Sequence, residues 1–285
     1  MVEFDVPEID YTRYSNRQLA AVPLAVLGVA LLVILVWFLL NGTPVGLGFD
    51  FTGGTEMRVE TTDSLAEVRD TFSVADDAVT PVEGGAEYLI QTQSVDGDAL
   101  RSAANQAGYN IIFSNERSAS FGASSQQTAL LGLVVAFAGM SLLVFAMFRT
   151  FVPSIAVVIS AFSDIMIPVA LMNLLGIDLS LGTVAALLML IGYSVDSDIL
   201  LNNHILRRSG GFYESTARAM QTGVTMTVTS IAAMTVMTIT ALVLDIPLLP
   251  DIGLILVFGL TADLMNTYML NLSLLRWYKF EGVAK

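Results

Sequence analysis

The sequence predicts a polytopic α-helical membrane protein with six transmembrane helices and a ferredoxin-like α+β domain, on the exterior side, between the first two. Three observations carry this reading. Of the 285 residues, 54% are hydrophobic and only 14% charged, whereas a soluble domain carries about 25% charged residues. Six apolar runs each approach the ~20 residues needed to cross the hydrocarbon of a bilayer. Between the first two runs the pattern changes to short amphipathic pieces whose order, from Thr55 on, is βαββαβ.

The apolar runs are Leu19–Leu40, Gln126–Phe148, Phe151–Asn173, Leu181–Leu206, Thr222–Leu244 and Asp251–Leu275. The fifth is the least apolar, because seven of its residues are Thr. The first reads as a membrane helix rather than a cleaved signal, since its leader Met1–Gln18 is acidic and no small-residue cleavage site follows. The expected layout is a leader over 1–18, a first helix over 19–40, the α+β domain over 41–125, a five-helix bundle over 126–275 and a tail over 276–285. Arg13, Arg17, Arg149, Arg207, Arg208, Arg218, Arg276, Lys279 and Lys285 flank one side of these runs. The loops of the other side, Leu174–Ser180 and Asp245–Pro250, hold no Lys or Arg. This skew predicts cytoplasmic N- and C-termini in the cell membrane.

Within 41–125, Val45–Phe51 and Thr55–Thr61 read as strands around a Gly53–Gly54 turn. Ser64 and Glu67 form a capping-box pattern at the start of a helix that runs to Phe72. Val79–Val82 and Tyr88–Thr92 read as strands around Gly84–Gly85, Asp96–Ala107 as a helix stopped by Gly108, and Tyr109–Ser114 as the last strand. The segment holds 13 Asp/Glu against 4 Arg.

Charge and composition exclude several functions. The chain has 13 basic and 26 acidic residues, net −13, so it lacks the basic face of a nucleic-acid binder. With no Cys and one His, thiolate catalysis and Cys- or multi-His-ligated metals are excluded, and no cofactor is expected. Only two of the basic residues are Lys. An acidic, Lys-poor surface suits high salt, where repulsion between carboxylates is screened, and predicts a halophilic source.

Four carboxylates lie in the interior of the apolar runs: Asp164 in the third, Asp196 and Asp198 in the fourth, Asp263 in the sixth. An ionised carboxylate at mid-bilayer costs about 2.5–3.5 kcal/mol or more, so each must be paired, protonated or facing a wet cavity. Residues two apart on a helix point about 200° apart, so Asp196 and Asp198 cannot share a face. Ser194, Asp198 and Asn202 form one polar stripe; Gly192, Asp196 and Asn203 form a second. Asp263, Asn266 and Thr267 share a face of the sixth run. Thr225 and Thr229 in the fifth suit close helix packing or a hydroxyl relay. His204, near the end of the fourth run, is expected to be solvated at the interface.

These motifs, in order, resemble the SecD/SecF family of protein-export membrane proteins, in the form of its smaller subunit, within the RND superfamily. Gly48-Phe49-Asp50-Phe51-Thr52-Gly53-Gly54-Thr55 is similar to the family's G-x-D-F-x-G-G-T signature, in which Asp50, Gly53 and Gly54 are the turn residues. Asp164 matches a third-span His-Asp, with Ser163 in place of the His; Ile177-Asp178-Leu179 matches I-D-L, and Ile191-Gly192-Tyr193-Ser194 matches I-G-Y-S. In many bacterial members G-Y-S continues as x-Asn-Asp-Thr, and that Asp is implicated in ion coupling. Here the three positions read Asp196-Ser197-Asp198. A fifth-span Arg of those members aligns with Thr225, as in the archaeal branch. The resemblance implies a partner subunit, SecD, docking on the Sec translocon, secretory proteins as substrates, and an ion gradient that moves the exterior domain. Its polar centre would be Asp198, Asp196, Asp164, Asp263, Ser194, Ser197 and Thr225. The rival readings are a structural subunit whose Asp residues only bond helices together, and an intramembrane aspartyl protease. The latter needs Tyr-Asp and Gly-x-Gly-Asp within spans, yet Tyr193 is followed by Ser194.

Overall fold

Ser15 starts the first long helix by accepting the backbone N–H of Gln18, whose side chain returns a bond to Ser15. That helix, α1, runs Asn16–Asn41 and stops at Gly42 in the left-handed conformation. The computed structural model describes residues 9–74, 78–82, 86–92, 96–207, 210–244, 246 and 248–282. The Gly84–Gly85 turn, and Arg208 and Lys285 of the charge skew, lie outside the described residues.

Among the described residues, six helices are long and apolar enough to cross a membrane. After α1 come α5 (Ala119–Phe148), α6 (Phe151–Leu175), α7 (Leu181–Arg207), α8 (Phe212–Val243) and the composite run that begins with α9 (Leu249–Met265). Several begin before their apolar runs. Helix α5 starts seven residues before Gln126, where Ser118 Oγ accepts the N–H of Phe121 at 3.2 Å. Helix α8 starts at Phe212, just after Gly211, rather than at Thr222. Hydropathy marks the length that hydrocarbon accepts; caps and breakers mark where the backbone starts to coil.

The chain forms two compact units, one made chiefly of these helices and one spanning Leu47–Leu131 with Leu179–Leu181. In the second, β1 (Gly54–Glu60), α3 (Leu65–Phe72), β2 (Val79–Pro81), β3 (Glu87–Thr92), α4 (Gly97–Ala107) and β4 (Asn110–Arg117) follow in the expected βαββαβ order. The sheet is antiparallel with strand order β2-β3-β1-β4. Alternation along β1 buries Met57 and Val59 completely, and α3 and α4 cover that face with Val68, Phe72, Leu100 and Ala104. Ser64 and Glu67 form the expected capping box, and Gly108 closes α4 in the left-handed region.

The strand expected over Val45–Phe51 does not form. Leu47 makes one isolated bridge to Leu179, and Phe49–Thr52 coils into a single helical turn, α2. The reason lies in the partner, because Leu179 precedes α7 by only two residues and offers no ladder to continue. Asp50 holds the turn instead. Its Oδ2 accepts the N–H of Leu181 at 2.9 Å, and its Oδ1 pairs with Arg117 at 2.9 Å. Arg117 in turn lies over the rings of Phe49 and Phe121, at 5.9 and 5.7 Å. Gly53 and Gly54 both take positive φ, +72° and +122°.

Candidate functional site

Among the described residues, a six-residue break in regular α-helix falls within the sixth span. Between α9 and α10 (Leu272–Trp277), residues Asn266–Asn271 form a π-helical turn. Such a turn takes one extra residue into each hydrogen-bonded ring and recurs at functional sites. Here it carries Asn266, Thr267 and Asn271, each fully buried.

These side chains face three carboxyls from three helices. Asp164 of α6 accepts from Ser194 Oγ at 2.5 Å and from Asn266 Nδ2 at 2.5 Å. Asp198 of α7 accepts from Thr267 Oγ1 at 2.9 Å and Asn271 Nδ2 at 2.7 Å, both on Oδ1. Asp263 of α9 accepts from Ser197 Oγ at 2.7 Å and lies 3.1 Å from Thr267 Oγ1, again on one oxygen. Ser197 also reaches the Ser194 carbonyl at 2.9 Å. All three carboxyls are at most 1% exposed. Among the described residues their hydrogen-bond partners are hydroxyls and amides, with no Lys, Arg or His.

A threonine hydroxyl has one proton to give. Thr267 stands between Asp198 and Asp263, so it donates to one of them at a time. The contact with the other is a hydrogen bond only when that carboxyl itself holds a proton. Moving a proton from one carboxyl to the other reverses both bonds and needs little motion of the heavy atoms. Asp198 Oδ2, Asp263 Oδ2, Asn266 Oδ1 and Asn271 Oδ1 are buried without a bonded partner among the described residues. A buried acceptor left so costs about 1–3 kcal/mol, which favours uptake of a proton or water at the centre.

The structure brings together Asp164, Asp198, Asp263, Ser194 and Ser197, and leaves Asp196 and Thr225 outside. Asp196 is exposed, as expected of a residue about 200° around the helix from Asp198. Thr225 donates to the Gln221 carbonyl of its own helix at 2.6 Å rather than to one of these carboxyls. Asn202, of the predicted stripe, donates to the Pro153 carbonyl at 3.3 Å instead of to a carboxyl. Ser163, in the place of the family's His, is fully buried, and its Oγ has no bonded partner among the described residues. His204 is buried rather than solvated, with Nδ1 2.9 Å from the Leu200 carbonyl one turn before it. The sequence reading missed Asn271. Asp263, Thr267 and Asn271 recur in steps of four residues, which is the available signal.

Asp50, Gly53 and Gly54 lie in the α+β unit and form the knot at α2 described above.

Comparison with known proteins agrees with this architecture. Residues 100–281 match the family model of the protein export membrane protein SecD/SecF, C-terminal. The chain is 66% identical to the protein-export membrane protein SecF of Haloferax volcanii and 62% identical to that of Haloquadratum walsbyi, with all of each chain covered in both cases. These haloarchaeal relatives fit the acidic, Lys-poor composition. In three dimensions it is similar to the crystal structure of SecDF, a translocon-associated membrane protein from Thermus thermophilus, with a TM-score of 0.73 at 18% identity. That match covers 96% of this chain and 39% of the SecDF chain, so this chain spans under half the length of that protein. Six apolar helices, a small α+β unit between the first and second, and full-length similarity to these relatives have one meaning: the chain belongs to the SecD/SecF family of protein-export membrane proteins, as a SecF subunit.

Proposed function

We propose that this SecF subunit works with SecD at the Sec translocon and uses a proton gradient to help draw secretory proteins outward, as a non-enzymatic subunit. The observation that carries the coupling is the buried centre: carboxyls from α6, α7 and α9, two of them bridged by one hydroxyl, with no cation among their bonded partners in the described residues. Three ionised carboxylates without a cation are untenable in hydrocarbon. The centre therefore needs protons, and gaining or losing one changes which helix Thr267 is bonded to. A coupling device requires such differential bonding in two states.

The test is secretion of a reporter in cells that carry each Asn variant as the only copy, with subunit levels checked by immunoblot. Asp164→Asn, Asp198→Asn and Asp263→Asn keep shape and hydrogen bonding but cannot titrate. Export is expected to fall in Asp198→Asn more than in Asp196→Asn, with insertion and SecD association retained. Normal export in Asp164→Asn, Asp198→Asn, Asp263→Asn and Asp196→Asn alike would reject coupling and leave a structural role.

The same reading places both termini in the cytoplasm and the α+β unit outside, supported by the Arg/Lys skew. Reporter fusions at Leu248 should read exterior and those at Gly210 cytoplasmic. A cytoplasmic signal at Leu248 overturns that orientation.

A further inference from the structure

A cavity of about 570 Å³ lies where the start of α1 meets the end of the sixth span. Tyr213 of α8, Trp277 of α10 and Phe280 of the π-helical turn Tyr278–Gly282 give it aromatic walls. The rings of Tyr213 and Phe280 stack, with centroids 6.4 Å apart and planes at 25°. The charged groups of its lining are Arg17, Arg276 and Glu281. None of them belongs to the carboxyl centre.

Arg276 is a cation with only neutral partners, although it is 9% exposed. Its Nε donates to Asn16 Oδ1, its Nη1 to the Tyr11 carbonyl at 2.9 Å and its Nη2 to the Tyr14 carbonyl at 2.7 Å. Those bonds use three of the five guanidinium N–H groups. Among the described residues no carboxylate pairs with Arg276, nor with Arg17, which is exposed. A buried guanidinium without a counter-charge is costly, and its planar fork of donors matches the oxygens of a phosphate.

Depth and charge identify the kind of phosphate. Arg17 stands two residues before Leu19, where the first apolar run begins, and Trp277 and Phe280 stand two and five residues after Leu275, where the last one ends. The cavity therefore sits at the boundary between hydrocarbon and water, the level of lipid headgroups and of interfacial aromatic rings. Trp277 is 43% exposed and Phe280 53%, so the same walls offer apolar surface to an acyl chain. Two guanidiniums and one carboxylate leave a net charge of +1. A phosphodiester carries one negative charge and neutralises it, whereas a phosphomonoester or free phosphate carries up to two near neutral pH.

We infer that this cavity binds the headgroup of an anionic phospholipid, with the phosphodiester held by Arg17 and Arg276 and the glycerol and upper acyl chain against Trp277 and Phe280. Basic pockets at the ends of membrane helices recognise headgroups in this way. The inference goes beyond the export reading and needs only that the six helices span a bilayer.

Trp37→Phe leaves Trp277 as the sole Trp of the chain, so its fluorescence reports occupancy of the cavity. The full chain is reconstituted in phosphatidylcholine vesicles with rising fractions of phosphatidylglycerol brominated on its acyl chains, or of brominated phosphatidylcholine. Brominated phosphatidylglycerol should quench Trp277 at the lower fraction, since choline adds a cation to a site that is already positive. Arg17→Gln should raise the fraction needed for half-quenching about fivefold, the size expected for one basic residue near the surface. Arg13→Gln removes the same charge from a residue that pairs with Asp10 and lies outside the cavity, and it should leave the curve in place. Excess inorganic phosphate should not restore the fluorescence. Identical curves for the two brominated lipids would overturn the inference, and need no variant of the pocket. So would an Arg17→Gln curve that does not move, or one that Arg13→Gln matches, which would mean diffuse attraction to the surface. Recovery of fluorescence with inorganic phosphate would overturn the assignment to a lipid.

Discussion

Thr267→Val is expected to lower reporter secretion about tenfold or more, and Thr267→Ser to restore most of it. The hydroxyl of Thr267 is the atom shared by Asp198 and Asp263, at 2.9 and 3.1 Å. Valine keeps the branched shape and removes only the donor. Asp198 then retains Asn271, and Asp263 retains Ser197, but nothing joins the two carboxyls. A hydrogen bond to a charged group is worth ~1.5–3 kcal/mol, so losing it costs a factor of ten or more in any step that depends on it. Serine keeps the hydroxyl and loses one methyl, a packing loss of about 1 kcal/mol. The comparison therefore separates the relay from the packing. Secretion is measured in cells with each variant as sole copy, at matched subunit levels. Parental export by Thr267→Val would exclude Thr267 from the coupling path, and failure of both variants alike would point to packing.

The second large effect concerns the knot at α2. Gly42 and Gly53 have nearly the same φ, +76° and +72°, and differ in ψ, −3° against −174°. The first conformation is left-handed helical, which an Ala tolerates at about 1 kcal/mol. The second lies in a region essentially reserved for glycine, where strain alone costs about 1–3 kcal/mol. A Cβ on Gly53 would also fall 2.9 Å from the Ala119 nitrogen and 2.9 Å from the Arg117 carbonyl oxygen, whereas one on Gly42 meets nothing within 4 Å. Both obstacles are backbone and cannot turn aside. Gly53→Ala should lower the thermal midpoint of the purified protein in detergent by clearly more than Gly42→Ala does. Equal shifts would show that the knot is free to open at Gly53.

Much of this was legible in the chain alone. Period-3.6 spacing alone separates Asp196 from Asp198, and the structure has one exposed and the other buried. Ser64 with Glu67, and Gly108, marked the ends of α3 and α4 because capping is a local matter of a few consecutive residues. The segment Val45–Phe51 departs from its expected strand for the opposite reason. Its alternation suits a strand, but among the described residues its bridge partner is Leu179, 132 residues on from Leu47, and the extended backbone there is too short to pair with.

The sequence by itself determined the six spans, the βαββαβ order and the residue types of the polar centre, since hydropathy, periodicity and capping act between near neighbours. Only the tertiary structure decided which of those polar residues meet. Asp164, Asp198 and Asp263 come from three helices, and a hydrogen bond depends on helix rotation and depth to within a fraction of an ångström, which no spacing along the chain encodes. The π turn at Asn266–Asn271 belongs to the same class. It widens one turn of a helix whose local sequence reads as regular, and by doing so it turns Asn266 to Asp164 and Thr267 and Asn271 to Asp198, bonds that exist only once α6, α7 and α9 are packed.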